Sequence, residues 1–170
     1  MDVPMLVARV LHIGLGVFWA GAMIFVATFL LPSIQEAGPD GAKVAAGLAR
    51  RRFIDIMPAA ALVTVLSGFY LYWKSSAGFS PEYMGSRTGM AIGLGSVTAL
   101  LALALGLAIV RPSMKRAMQL AQATAGAPAE SREGMQAEAQ ALRGKAAGAA
   151  KVVAWLLAAT TIAMAVARYL

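Results

Sequence analysis

The sequence predicts an all-α integral membrane protein, a four-helix bundle with a protruding cytoplasmic helical hairpin. Three observations predict it. Of 170 residues, 59% are hydrophobic and only 14% charged, whereas soluble domains carry about 45–50% apolar and about 25% charged residues. Four apolar runs are each long enough to cross a hydrocarbon layer about 30 Å thick, which takes about 20 helical residues. Lys and Arg gather in two of the three links between those runs.

The runs are Met5–Leu31, Phe53–Trp73, Thr88–Val110 and Ala146–Tyr169. All are rich in Ala, Leu, Gly and Met and lack the strict alternation of barrel strands. Helices are therefore the way to satisfy their backbones in lipid. One domain, residues 1–170, is expected at this length. The start Met1-Asp2-Val3-Pro4 has no basic segment, and the first run far exceeds the apolar stretch of about 7–15 residues in a signal peptide. It is expected to stay in the mature chain.

Orientation follows from the loop cations. Lys43, Arg50, Arg51 and Arg52 lie in the first link, and Arg111, Lys115, Arg116, Arg132, Arg143, Lys145 and Lys151 in or beside the third. The other side carries only Arg9, Lys74, Arg87 and Arg168. The positive-inside rule places links one and three in the cytoplasm and both termini outside an inner (plasma) membrane. Tyr70, Tyr72, Trp73, Tyr83 and Tyr169 fall where an outer aromatic belt would lie.

Within the first link, Pro32 and the turn signal Gly38-Pro39-Asp40-Gly41 predict breaks, followed by a short helix from Ala42. Asp55 lies three and four residues after Arg52 and Arg51, the spacing of an ion pair on one helical face. Pro58 predicts a kink. The third link, about 111–145, reads as an antiparallel hairpin. Met114, Met118, Ala121 and Ala125 descend at helical spacing, and Met135, Ala139, Leu142 and Ala146 return after a turn at Gly126-Ala127-Pro128. Lys115 and Arg116 would then approach Glu138, and Pro112 would bend the first arm. Gly89-x-x-x-Gly93 and Gly144-x-x-x-Gly148 match the spacing that lets membrane helices approach closely.

Several classes of function are excluded. No cysteine is present, so disulfides, thiolate metal sites and cysteine nucleophiles are absent. The net charge is +7, but the cations form no stripe and no nucleic-acid motif accompanies them. There is no Gly-rich phosphate loop, no Ser/His/Asp set and no carboxylate pair for acid–base work. Glu36, Asp40, Glu130, Glu133 and Glu138 read as solvated.

His12 is the single histidine, roughly two turns inside the first run. Met5, Arg9, His12, Gly16, Trp19 and Met23 recur at steps of four and three, which places them on one helical face. An ionisable group in a span is expensive and marks a site by default. Gly16, one turn on, would leave room for a flat ligand, and a neutral imidazole nitrogen binds haem iron or copper. The bland alternative is a packing histidine bonded to a backbone carbonyl or to Ser67, Ser96 or Thr161. Both stay open. Arg9, Arg87 and Arg168, all near the outer interface, could hold the carboxylates of an anionic ligand or reach for headgroups. The 10 methionines, including Met114-x-x-x-Met118, suit Cu(I) but equally serve as pliable packing.

Leu11-His12, Phe18-Trp19-Ala20-Gly21 and Leu31-Pro32 in the first run form a recognisable pattern. With them go Arg52-Phe53, Leu66-Ser67-Gly68-Phe69-Tyr70 and Gly85-Ser86-Arg87. Together they resemble the copper-resistance protein D-like membrane proteins and the related small haem-containing protoporphyrinogen IX oxidases, over about the first 110 residues. The resemblance implies a four-helix membrane fold and a cofactor ligand at His12. Two departures stand out: no second histidine, which rules out bis-His haem within one chain, and apolar residues around Ile92 where a lysine is often found. A His/Met haem would need Met90 or Met164. The reading that follows is a membrane protein binding haem b through His12 for electron transfer or redox chemistry, with Arg9 or Arg87 on the propionates. Its alternatives are copper handling, with His12 as a metal ligand, and a structural or partner-binding subunit without a cofactor. Expected partners are the lipid bilayer and either a membrane redox partner or a second copy of the chain.

Overall fold

The computed structural model describes residues 2–38 and 40–170, all helix and turn with no strand among them. Four helices are long and apolar enough to cross a membrane: α1 (Val3–Glu36), α3 (Phe53–Ser75), α5 (Arg87–Thr124) and α6 (Ala129–Tyr169). Two short ones join them, α2 (Gly41–Arg50) and α4 (Pro81–Gly85).

The ends of these helices follow from local chemistry. Asp2 caps α1, its Oδ1 accepting from the Met5 N–H at 3.1 Å. Pro4 sits in the first turn, where a missing N–H costs nothing. Ser86 caps α5 by accepting from the Gly89 N–H at 3.0 Å, which satisfies one of the free donors of the first turn. Arg52, just before α3, has a left-handed backbone with φ 56°. That residue separates α3 from α2 and fixes the angle between them.

Proline is handled in an unexpected way. The break predicted at Pro32 is absent, and α1 runs on to Glu36. Residues Val26–Leu30 form a π turn instead, with the Leu31 N–H reaching back five residues to the Val26 carbonyl. The same device recurs in α5, where Gly106–Val110 form a π turn and the Arg111 N–H reaches the Gly106 carbonyl. Each donor directly precedes a proline, Pro32 or Pro112. A proline ring collides with the carbonyl four residues back. Widening the preceding turn moves that carbonyl away without ending the helix. The helix α3 also continues through Pro58.

Of the long helices, α1 packs along α3 and α6, and α5 packs along α6 and, more lightly, α3. The shared core is Trp19, Met23, Ala27, Ala61, Ala102, Ala150, Val153, Ala154 and Leu157. Alanine dominates it, so the helix backbones approach closely. Thr98 and Thr160 hydroxyls join α5 to α6 at 2.8 Å. The predicted hairpin is present: α5 and the first half of α6 pair beyond the core, around a turn at residues 125–128. Large apolar side chains cover the outside, among them Trp155 at 79% exposure.

Other expectations change. Asp55 does not pair with Arg51 or Arg52. Because Arg52 is left-handed, no helical face connects them, and Asp55 instead binds Arg111 Nη2 at 3.0 Å and Lys115 Nζ at 2.8 Å. Lys115 is thereby drawn from Glu138, which among the described residues pairs with Arg116, at 3.3 Å. Gly144 and Gly148 face open space, so their small-residue pattern makes no helix contact within the chain. Gly89 lies against the Tyr83 carbonyl of α4, and both glycines meet α3 at the Tyr72 hydroxyl, which donates to the Gly89 carbonyl at 3.0 Å. The turn predicted at Gly38-Pro39-Asp40-Gly41 includes Pro39, which lies outside the described residues; its flanks end α1 and begin α2.

Candidate functional site

From His12 onward, the face of α1 predicted to carry chemistry turns inward. His12 meets α3, and its Nδ1 lies 2.8 Å from the Thr64 carbonyl oxygen. A carbonyl can only accept, so Nδ1 carries the proton, and in the neutral ring Nε2 keeps the lone pair. The carbonyl itself is well supplied. Ser67 Oγ lies 3.1 Å from it and 2.6 Å from the Val63 carbonyl, with its one proton shared between the two. The Thr64 hydroxyl turns away to the Ala60 carbonyl at 2.8 Å.

Glycine at position 68 makes this contact possible. A Cβ there would lie 2.5 Å from His12 Cε1 and 2.8 Å from Nδ1, inside any tolerable contact. Thr64, Ser67 and Gly68 thus form a notch of small and polar residues at helical spacing, into which the ring fits. Its Nε2 has no hydrogen-bond partner among the described residues, yet no buried side-chain nitrogen is left unpaired. The ring is half-buried, so Nε2 keeps contact with the surroundings of the helix pair.

The other residues selected from the sequence divide among separate places. Gly16 faces Thr64, whose Cγ2 would lie 3.4 Å from an added Cβ; the space expected beside it for a flat ligand is occupied by α3. Trp19 and Met23 are buried in the shared core. Arg9 is exposed on α1. Arg87 and Met90 belong to the first turn of α5, which does not pack along α1, and Met90 is 56% exposed. Met164 of α6 packs onto Gly95 of α5, with its Cε 3.0 Å from where a Cβ would stand. No cluster of three or more His, Cys, Asp or Glu gathers among the described residues.

The structure therefore brings together His12 and Gly16 with Thr64, Ser67 and Gly68, while Arg9, Arg87 and Met90 are exposed and Met164 is seated on Gly95. Thr64 and Gly68 were missed as partners of the histidine. Their signal was present in the i, i+3, i+4 spacing of Thr64, Ser67 and Gly68, which marks a shallow, polar helical face. Chemically, the arrangement offers one neutral imidazole nitrogen held in a fixed tautomer. No family model, curated protein or solved structure matches this chain.

Proposed function

We propose that the chain is an integral membrane four-helix bundle that binds b-type haem through His12 Nε2 and serves electron transfer or membrane redox chemistry. The observation that carries this is the hydrogen bond between His12 Nδ1 and the Thr64 carbonyl. Metal-binding histidines habitually donate their other N–H to a carbonyl or carboxylate, which fixes the tautomer and raises the basicity of the ligating nitrogen. The resemblance of about the first 110 residues to copper-resistance protein D-like and small haem-containing membrane proteins supports the same reading. Four long apolar helices with exposed aliphatic flanks support the membrane setting, and the cation-rich links support a cytoplasmic hairpin.

The residues fit one iron–nitrogen bond and no second one. Met90 is exposed and Met164 is seated on Gly95, and Arg9 and Arg87 stand on helices that do not pack along one another. When bound, the group would supply one-electron chemistry. The chain's own part is to orient the imidazole through Thr64 and Gly68. The absorption spectrum of haem-loaded protein in detergent tests this: a Soret band that disappears in His12→Gln is expected, and a parent protein without one overturns the reading.

A second reading has its own observation. Gly68 closes on the ring and Thr64 fills the space beside Gly16, which favours a histidine that only clamps α1 to α3 in a cofactor-free membrane subunit. Stable co-purification with another membrane protein and a featureless visible spectrum would favour it. Copper handling is a third reading, with His12 Nε2 as its metal ligand.

A further inference from the structure

The structure assigns a second site to the Arg-rich end of the long helices, away from His12: a cavity that binds an anionic phospholipid. The inference rests on the membrane-spanning reading but not on haem. The cavity has a volume of about 1000 Å³, at the upper end of the range of ligand pockets, about 300–1000 Å³. Its inner end is apolar, formed by Trp19, Met23, Ala61, Ala102 and Val153. Its rim carries Arg50, Arg111 and Arg143, with Gln35, Gln122 and Gln140.

Two features of the chain create the space. The walls are built largely from alanine, including Ala42, Ala45 and Ala49 of α2 and Ala146, Ala147 and Ala150 of α6, which leave it unfilled. Both π turns also border it, through Val26 and Leu30 on one side and Gly106, Leu107 and Val110 on the other. π turns concentrate at functional sites.

Charge selects the occupant. Arg111 is already met by Asp55, together with Lys115. Arg50 and Arg143 have no carboxylate within ion-pair distance among the described residues. An apolar interior beneath two unmatched guanidiniums suits an acyl chain that ends in a phosphate, which Arg binds bidentately. Basic pockets between membrane helices take anionic lipid headgroups in this way. Because all the walls but α2 belong to helices long and apolar enough to cross a bilayer, the leaflet's own lipid is the amphiphile at hand.

Of the three tryptophans, Trp19 is buried at the inner end while Trp73 and Trp155 are exposed. In a Trp73→Phe/Trp155→Phe background, Trp19 fluorescence reports the site. Dibrominated phosphatidylglycerol should quench it saturably, at a far lower mole fraction in detergent than dibrominated phosphatidylcholine. Arg50→Gln with Arg143→Gln should raise the half-quenching fraction of phosphatidylglycerol about tenfold, and Arg50→Lys with Arg143→Lys should retain most of the preference. Ala147→Phe should weaken quenching by either lipid. If the double Gln variant fails to fold, Arg143→Gln alone, with unchanged circular dichroism, should give a smaller rise. Equal quenching by the two lipids in the parent, or indifference to the Arg substitutions, overturns the proposal. Stronger saturable quenching by a brominated fatty acid than by phosphatidylglycerol overturns it too, since the site would then take a free carboxylate.

Discussion

The imidazole of His12 rests directly on Gly68, so closely that one added carbon at residue 68 would stand 2.5 Å from the ring. Gly68→Ala is therefore expected to push α1 and α3 apart or turn the ring from the Thr64 carbonyl. Overpacking of this kind costs about 1–3 kcal/mol. Thermal unfolding in detergent measures it, and a variant as stable as the parent would show that the ring does not sit on this glycine.

His12→Gln separates clamp from ligand. The Gln amide can still donate to the Thr64 carbonyl, and a polar bond between membrane helices averages only about 0.6 kcal/mol. The unfolding temperature should barely move while any haem absorbance is lost. Large destabilisation with no spectral change would instead make the histidine a structural clamp.

Asp55 gathers Arg111 and Lys115 at 3.0 and 2.8 Å, with side chains at 38–42% exposure. Solvent screening at that exposure leaves about 0–1 kcal/mol per pair. Asp55→Asn should lower stability modestly, and the gap to the parent should close as salt is raised. A loss that persists unchanged in high salt would mean that Asp55 acts through something other than these two cations.

Pro112→Ala removes the ring that opens the π turn at Gly106–Val110. Residue 112 then regains an N–H, while the extra residue in the turn keeps both flanking faces in register. Stability should rise, by at most about 3 kcal/mol, the cost of proline in a helix interior. A fall in unfolding temperature would show that the proline itself is needed to hold the turn wide.

With no native cysteine, single substitutions report topology without background. Ala125→Cys in the hairpin turn should resist a membrane-impermeant maleimide applied to intact cells, and Ala77→Cys between α3 and α4 should react. The opposite pattern would invert the orientation read from the loop cations.

Much of the architecture was legible in the chain. Apolar runs marked the four long helices, and helical spacing around Gly126-Ala127-Pro128 marked the hairpin. The π turns were not legible, because Pro32 carries the same local signal whether a helix stops or widens. Asp55 was assigned to its neighbours because the left-handed backbone of Arg52 leaves no mark in residue type, and its partners lie far along the chain. At the candidate site, the inward face of His12 could be read from periodicity. Its partner left only the indirect signal of the Thr64, Ser67 and Gly68 spacing, since a backbone carbonyl has no side-chain signature of its own. Met90 and Met164 were indistinguishable by depth, and only packing separates the exposed one from the one seated on Gly95.

Each π turn also holds one residue more than an α-helical turn would. Elsewhere in α1, deleting a single residue rotates everything beyond it by about 100° and swings either His12 or the far end of the helix off its neighbours. Within Val26–Leu30 the same deletion collapses the wide turn to ordinary geometry and leaves both flanking faces in register. These two short stretches are where the length of the chain can vary by one residue without rebuilding the assembly.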